Sequence, residues 1–179
     1  MKMNVPDLSQ TLTPVVEVLE QLSVPYHIGG SVASSLFGEA RPTLDIDIVA
    51  DLQLSQAHTF VSLLASDYYV VEDAVRDAIK RHSSFNLISQ ETFIKVDVFI
   101  PKPRAFDRDA LRHLRQRSLD GKGRTFPVAS PENMVVNKLE WYKMGGQVSA
   151  RQWNDILGIL KAQGSALDLA YLNRWAIAL

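Results

Sequence analysis

Two aspartates that alternate with isoleucines have the spacing of metal ligands on a β-strand. In the segment Leu44-Asp45-Ile46-Asp47-Ile48, successive side chains of an extended chain point to opposite faces, so Asp45 and Asp47 share one face. At a rise of ~3.3 Å per residue they lie about 6–7 Å apart, and like charges this close repel unless a cation lies between them. Carboxylate oxygens suit Mg²⁺ or Mn²⁺. The pair indicates metal-assisted phosphoryl chemistry; the alternative is solvated charge on an exposed strand face.

A third carboxylate, Asp97, lies in a second segment with the alternation of a strand, Phe93–Ile100. If this strand pairs beside the first, Asp97 joins Asp45 and Asp47 around one or two ions. Magnesium keeps several waters and takes few carboxylates besides substrate phosphates, so three aspartates suffice.

A glycine turn, Gly29-Gly30-Ser31, precedes the aspartates and opens a short helical segment, Val32–Phe37. Backbone amides and a serine hydroxyl at the start of a helix form a phosphate-binding site. The alternative is a turn in which Ser31 only caps the helix. The two aspartate-bearing strands nearby favour the phosphate site.

Hydrophobic spacing predicts the elements that must position these residues. A helix is expected from Leu8 to Leu22, and Ser55 is the predicted N-cap of a helix that reaches Ala65 with Phe60, Leu63 and Leu64 inward. Further predicted elements are strands at 26–28, 68–71, 84–88 and 124–128 and a helix at 72–80. The mixture predicts an α+β fold, in which helices pack on a mixed α/β sheet.

The last third of the chain is expected to be a small helical bundle. Ser130 and Pro131 are the predicted cap and first residue of a helix that ends near Met144, before Gly145-Gly146. Ser149 opens the next helix. Its predicted core face consists of Trp153, Ile156, Leu157 and Leu160, and a last helix carries Leu167, Leu169, Leu172 and Trp175. The predicted domains are a core, residues 1–129, and a helical subdomain, residues 130–179.

Composition bounds the class of protein. The chain has 179 residues, 46% of them hydrophobic, so it can bury a core and is not disordered. It has no cysteine, which excludes disulfides and thiolate metal sites, and its net charge of −1 gives no overall drive towards nucleic acid. No segment has the character of a signal peptide or a membrane helix, so a cytoplasmic protein without membrane association is expected.

The segment from Lys102 to Arg124, here called the basic segment, departs from this balance. It is either a solvated face or an electrostatic guide for a triphosphate or RNA. Its cations, which outnumber Asp107, Asp109 and Asp120, are Lys102, Arg104, Arg108, Arg112, Arg115, Arg117, Lys122 and Arg124.

The spacing of these motifs resembles a known signature. Gly30-Ser31, followed after 13 residues by Asp45-Ile46-Asp47-Ile48, resembles the DNA polymerase beta-like nucleotidyltransferase superfamily, and Lys95-Val96-Asp97-Val98 is similar to its third-carboxylate strand. Within it, the chain most resembles the small bacterial AbiEii/AbiGii-type nucleotidyltransferase toxins, many of which are longer. This narrower resemblance runs from about Tyr26 to Tyr171 and also rests on Arg81–Ile88, Ser130–Glu140 and Arg151–Leu157.

The resemblance implies a nucleotidyltransferase fold with a C-terminal helical bundle. It also implies an enzyme that moves a nucleoside monophosphate from an NTP to an acceptor hydroxyl, on tRNA or on a protein, with Mg²⁺ or Mn²⁺ and a cognate antitoxin as partner. Asp45, Asp47 and Asp97 would bind metal and act in catalysis with Lys138. The expected nucleotide-binding residues are Gly29, Gly30, Ser31, Arg81, Lys138, Arg151 and Asp155.

Other interpretations stay open at this point. Lys138 is either this nucleotide-site lysine or a surface lysine, and Arg151 with Asp155 is either part of the site or a helix salt bridge at i,i+4, worth about 0.3–0.5 kcal/mol. His27 is expected to be a packed core residue. The whole chain is alternatively a catalytically silent binding or antitoxin-like protein, or a small-molecule nucleotidyltransferase of the antibiotic-modifying type.

Overall fold

The computed structural model describes residues 8–39, 43, 45–119 and 123–179. Leu44, which precedes the aspartate pair, and Asp120 and Lys122 of the basic segment lie outside the described residues. Within the described ranges the strands are β1 (Tyr26–Ile28), β2 (Asp45–Ala50), β3 (Tyr68–Tyr69), β4 (Ser84–Ser89), β5 (Lys95–Phe99), β6 (Leu114–Ser118) and β7 (Thr125–Ala129).

These strands form one mixed sheet in the order β3-β4-β5-β2-β1-β7-β6. The pairs β2–β5 and β1–β7 are parallel, and the other neighbours are antiparallel. A parallel pair needs a long crossover, and the chain between β2 and β5 supplies one through two helices and two strands. The predicted α+β class with a mixed sheet is confirmed.

The helices are α1 (Leu8–Gln21), α2 (Gly30–Phe37), α3 (Ala57–Leu64), α4 (Glu72–Arg81), α5 (Ala105–Ala110), α6 (Pro131–Met144), α7 (Ala150–Gln163) and α8 (Leu169–Ala178). Helix α6 begins and ends as predicted: the Ser130 hydroxyl accepts a hydrogen bond from the backbone N–H of Asn133, Pro131 is in the first turn, and Gly145 is the C-cap. No helix in the described part of the chain has both the length and the apolar character that a membrane crossing requires.

The main core lies on the face of the sheet that carries Ile46, Ile48, Val96 and Val98. Helix α1 covers it with Leu12, Val15, Val16 and Leu19, all fully buried. Helices α6 and α7 contribute Met134, Val135, Ile156 and Ile159 to the same cluster. Residues on both sides of the boundary predicted at residue 129 therefore share one hydrophobic core, and the division into two domains stays a prediction.

Some local predictions are wrong. Gly29, not Ser31, is the N-cap of α2, and Ser31 lies in its first turn. Ser55 lies inside a 3₁₀ turn, Leu54–Gln56, which the side chains of Gln53 and Gln56 cap. The predicted inward residues Leu63, Trp153 and Leu160 are exposed, whereas Ile159 is fully buried. Within the basic segment, helix α5 and strand β6 had no counterpart among the predicted elements.

Candidate active site

Strand pairing brings the three aspartates to one face of the sheet centre. Because β2 and β5 are parallel, Asp47 lies directly opposite Asp97, and Asp45 lies opposite Lys95. All four side chains project from the face opposite Ile46 and Val96, which are buried. The parallel pairing of two distant strands therefore produces the juxtaposition that the alternation in each strand predicted.

Lys95 is the functional candidate that the sequence analysis missed. Its ammonium Nζ lies 2.8 Å from Asp97 Oδ2 and 4.0 Å from Asp45 Oδ1. The hydrogen bond to Asp97 raises the pKa of Lys95, and the charges of all three aspartates add to the effect. The signal was available, because a residue two positions before Asp97 in a strand must share its face.

Gly30 makes room for the Asp47 carboxylate. A Cβ at this position would lie 1.6 Å from Asp47 Oδ2 and 2.4 Å from its Cγ, and φ of Gly30 is +58°, a backbone conformation that favours glycine. The backbone N–H of Gly29 donates to the Asp47 carbonyl oxygen at 2.9 Å. The glycine turn and β2 therefore lie in close contact, and a side chain at position 30 would require Asp47 or the turn to move.

The electrostatics of Asp47 reflect this crowding. Burial raises the pKa of Asp47, and the nearby charge of Asp97 raises it further. A hydrogen bond from the backbone N–H of Ser31 and the positive charge of Lys138 act in the opposite direction. Ser31 and Lys138 therefore both lie close enough to Asp47 to stabilise negative charge there.

Lys138 is buried, with 6% of its surface exposed, so the surface-lysine interpretation is wrong. Its Nζ donates to Asp155 Oδ2 at 2.8 Å and to Gln152 Oε1 at 3.3 Å, both on α7. A buried ammonium needs such partners, because desolvation disfavours its charge. The pair connects α6 to α7 beside Asp47.

Arg151 also reaches the glycine turn. Its NH2 group lies 3.1 Å from the Ser31 hydroxyl oxygen, to which it donates. This contact holds the first turn of α7 against the first turn of α2. Ser31, Lys138 and Arg151 accordingly form a polar, positively charged side to the aspartate face, next to the Gly29–Gly30 backbone.

Arg81 lies apart from this group. It occupies the last turn of α4 and pairs with Asp77 at 2.8 Å, with 74% of its side chain exposed. Ser84, three residues later, pairs with Phe99 at the end of β5 opposite to Lys95. Arg81 precedes Ser84 in the chain, so it lies near the end of β5 that is remote from Lys95. The role of Arg81 in nucleotide binding stays a prediction.

The carboxylates of Asp45, Asp47 and Asp97 have the chemistry to bind a hard divalent cation, but their arrangement does not bring them together around one point. Three carboxylates share one face of the sheet, and their oxygens are the ligands that such a cation prefers. Yet among the described residues no three His, Cys, Asp or Glu side chains are gathered closely enough to hold an ion. The Lys95 ammonium lies near two of these carboxylates, 2.8 Å from Asp97 and 4.0 Å from Asp45.

Several cations of the basic segment are paired within the fold. Arg104 makes two contacts with Glu140, at 2.6 and 3.1 Å, and the nearby Lys102 contacts the same carboxylate at 3.4 Å. Arg124 contacts Glu17 and Glu20. Strand β6, within this segment, is separated from β2 by β1 and β7. These pairs favour a role in holding the fold, while the exposed Arg108 and Arg112 leave the guide interpretation untested.

The described fold is the nucleotidyltransferase fold, as comparison with solved structures shows. The crystal structure of ANT(2")-Ia in complex with adenylyl-2"-tobramycin has a TM-score of 0.61 at 10% identity, covering 94% of this chain and 97% of that one. A nucleotidyltransferase-like antigen from Paracoccidioides brasiliensis gives 0.54 at 18% identity, covering 93% and 85%.

The lincosamide adenylyltransferase LnuA, bound to lincomycin, gives 0.51 at 16% identity, covering 84% of this chain and 94% of that one. Neither a protein-family model nor a curated protein matches the sequence. These likenesses show a shared fold, and both the superfamily resemblance and the narrower likeness to the AbiEii/AbiGii-type toxins stay predictions.

Proposed function

We propose that this protein is a metal-dependent nucleotidyltransferase. The observation that carries the proposal is the register of β2 and β5, which sets Asp47 opposite Asp97. Asp47 also packs against Gly30, in the glycine turn whose Ser31 hydroxyl accepts a hydrogen bond from Arg151. A purely structural sheet has no need of three mutually repelling carboxylates on one face. Among the aspartates, Asp45 is the most exposed, with 58% of its side chain open to solvent.

In this proposal the acceptor hydroxyl oxygen forms a bond to the α-phosphorus of the NTP. The bond from that phosphorus to the oxygen bridging to the β-phosphate breaks, and pyrophosphate leaves. The hydroxyl proton passes to the Asp97 carboxylate. Mg²⁺ or Mn²⁺ held by Asp45, Asp47 and Asp97 would stabilise the charge that develops on the phosphoryl oxygens.

The chain's own groups do the positioning. The Gly30 backbone amide and the Ser31 hydroxyl bind the terminal phosphates at the start of α2. Arg151, which contacts that hydroxyl, and Lys138, whose charge acts on Asp47, neutralise the leaving pyrophosphate. Asp155 holds the Lys138 ammonium in place from α7. Orienting the two reactants in this way removes most of the entropic part of the barrier.

Three acceptor classes remain for this site. The resemblance to the AbiEii/AbiGii-type toxins favours a hydroxyl of tRNA or of a protein, with an antitoxin as partner. The mutual coverage of 94% and 97% with ANT(2")-Ia favours a small-molecule acceptor, because a protein of matching extent is crystallised with an adenylylated antibiotic.

The test is transfer of label from NTPs radiolabelled at the α-phosphate, in Mg²⁺, to tRNA, cell-extract protein, tobramycin or lincomycin. Asp47→Asn should lower transfer by orders of magnitude, whereas the control Asp73→Asn, an equal charge change on the exposed first turn of α4, should not. If no acceptor class is labelled, or if Asp47→Asn leaves labelling intact, the proposal is wrong.

The basic segment provides a second arm of the same experiment. Label in tRNA that disappears when Arg108, Arg112 and Arg115 are changed to alanine would support an RNA acceptor. RNA binding through these cations should weaken steeply with salt, and each lost phosphate contact should reduce the log–log slope by about 0.7–0.9. Label confined to protein or antibiotic would exclude RNA as the acceptor.

A further inference from the structure

One cation is already present among the aspartates of the proposed active site. The Lys95 ammonium lies 2.8 Å from Asp97 and 4.0 Å from Asp45, and its charge interacts with Asp47 as well. Lys95 is half exposed, with 42% of its side chain open to solvent, while only 21% of the Asp97 side chain is exposed. The lysine thus covers the more buried carboxylate from the solvent side.

The sheet fixes the backbone position of Lys95, but the side chain that carries the ammonium can still move. Lys95 and Asp97 lie two residues apart on β5, and Asp45 is the register partner of Lys95 on β2, so all three side chains leave the same face. The backbone positions are set by the sheet. The ammonium ends a flexible four-carbon stem and binds as a point charge, so it can swing into solvent without disturbing the strands.

We propose that Lys95 is the tethered counter-ion of the metal-free site, and that a divalent metal must displace its ammonium from Asp97 in order to bind. The inference rests on the proposed function, because it takes the three aspartates as the metal ligands. It explains how the protein folds with three carboxylates on one face before any metal arrives. It also makes Lys95 a positioning residue that sets metal affinity by competition.

Competition has a definite sign, which a merely structural ion pair does not share. Removing the ammonium should tighten metal binding and destabilise the metal-free protein, because Asp97 loses the cation that contacts it at 2.8 Å. Replacing it with a guanidinium, which binds carboxylates through a planar fork, should weaken metal binding. The expected order of metal affinity is therefore Lys95→Met above the unaltered protein, and Lys95→Arg below it.

The experiment is calorimetric titration of the full chain with Mn²⁺ and with Mg²⁺, beside thermal melts with and without metal. For Lys95→Met we expect metal binding about fivefold tighter, equivalent to about 1 kcal/mol. Its Tm without metal should fall by about 2–4 °C, and saturating metal should restore it. The control is Lys102→Met, since Lys102 is exposed to a similar extent, 45% of its side chain, and pairs with Glu140 instead. The control should leave metal affinity unchanged.

The outcomes separate the two proposals. If the unaltered protein binds metal and Lys95→Met binds it equally or more weakly, the counter-ion role is wrong while the proposed function stands. If neither protein binds metal, the proposed function fails and takes the counter-ion role with it. Metal binding by Lys95→Met alone, or the graded order given above, would support the inference.

Discussion

Replacing Gly30 with alanine is the sharpest test of how the glycine turn and the aspartates depend on each other. The three nearest atoms to a Cβ at this position all belong to Asp47, at 1.6, 2.4 and 2.7 Å. Real Cβ atoms do not approach other heavy atoms this closely, so either Asp47 or the start of α2 must move. The φ of +58° adds backbone strain for any residue with a side chain.

The cost can be worked from these two effects. Holding a non-glycine residue in a sparsely populated backbone region costs about 1–3 kcal/mol. Turning Asp47 away from its rotamer adds about 1 kcal/mol. The sum is about 2–4 kcal/mol, which for a domain of this size lowers Tm by about 5–15 °C.

The assay compares thermal melts and metal titrations of Gly30→Ala with those of Gly164→Ala. Gly164 also has a positive φ, +48°, and nothing lies within 4 Å of its Cβ position, so that variant has strain from a positive φ without the clash. Gly30→Ala should lose more stability than the control and should also lose metal binding, which the control keeps.

A double-mutant cycle isolates the contact itself. Changing Asp47 to glycine removes all three clashing atoms, so the destabilisation by Gly30→Ala should be smaller in that background. Equal losses of stability and of metal affinity at positions 30 and 164, with no coupling to position 47, would refute the reasoning.

Three further predictions concern buried charge. Burial lowers the pKa of His27 to about 4, so the native state resists protonation and the unfolding free energy should fall by up to about 3 kcal/mol as pH falls from about 6.5 to about 4. Urea unfolding of His27→Leu should lack this acid-sensitive component, and an unchanged pH dependence would contradict the assignment. Lys138→Met removes the ion-pair partner of Asp155 and should cost about 3–5 kcal/mol in urea unfolding, much of which a second change, Asp155→Leu, should restore. A double variant no more stable than the single one would count against the pair. Burial raises the pKa of Asp47 in the folded protein above its value in the unfolded chain, so the folded state favours the neutral carboxyl group. The stability that this preference contributes is fully present below the pKa of the unfolded chain and is lost as pH rises through the pKa of the folded protein. Asp47→Asn should therefore raise the metal-free Tm at pH 7, and a lower Tm would show that repulsion is not the dominant effect.

The alternation in β2 and β5 was enough to predict both strands and the shared face of Asp45 and Asp47. Their pairing was not predictable, because the register that sets Asp47 opposite Asp97 depends on a crossover through two helices and two strands. Lys95 could have been predicted, because it lies two positions before Asp97 on the same strand and must therefore share its face.

The buried face of α7 and the ion pairs of the basic segment could not be predicted, because both depend on contacts between residues distant in sequence. Apolar spacing in α7 allowed either Leu160 or Ile159 to face inward, and in the folded protein Ile159 is the fully buried residue whereas Leu160 is exposed. In the basic segment, two of the arginines pair with carboxylates distant in sequence, since Glu140 binds Arg104 and Glu17 binds Arg124. Local composition carries no information about such contacts.

The position of β1 in the sheet has a consequence for how the chain folds. This strand pairs with β2 on one side but with β7 on the other, where Ile28 is the partner of Val128, 100 residues later. Closing so long a loop delays the contact and slows folding relative to proteins with local pairing. During synthesis, the centre of the sheet therefore stays incomplete until β7 has left the ribosome, and the edge of β1 must remain unpaired and protected until then.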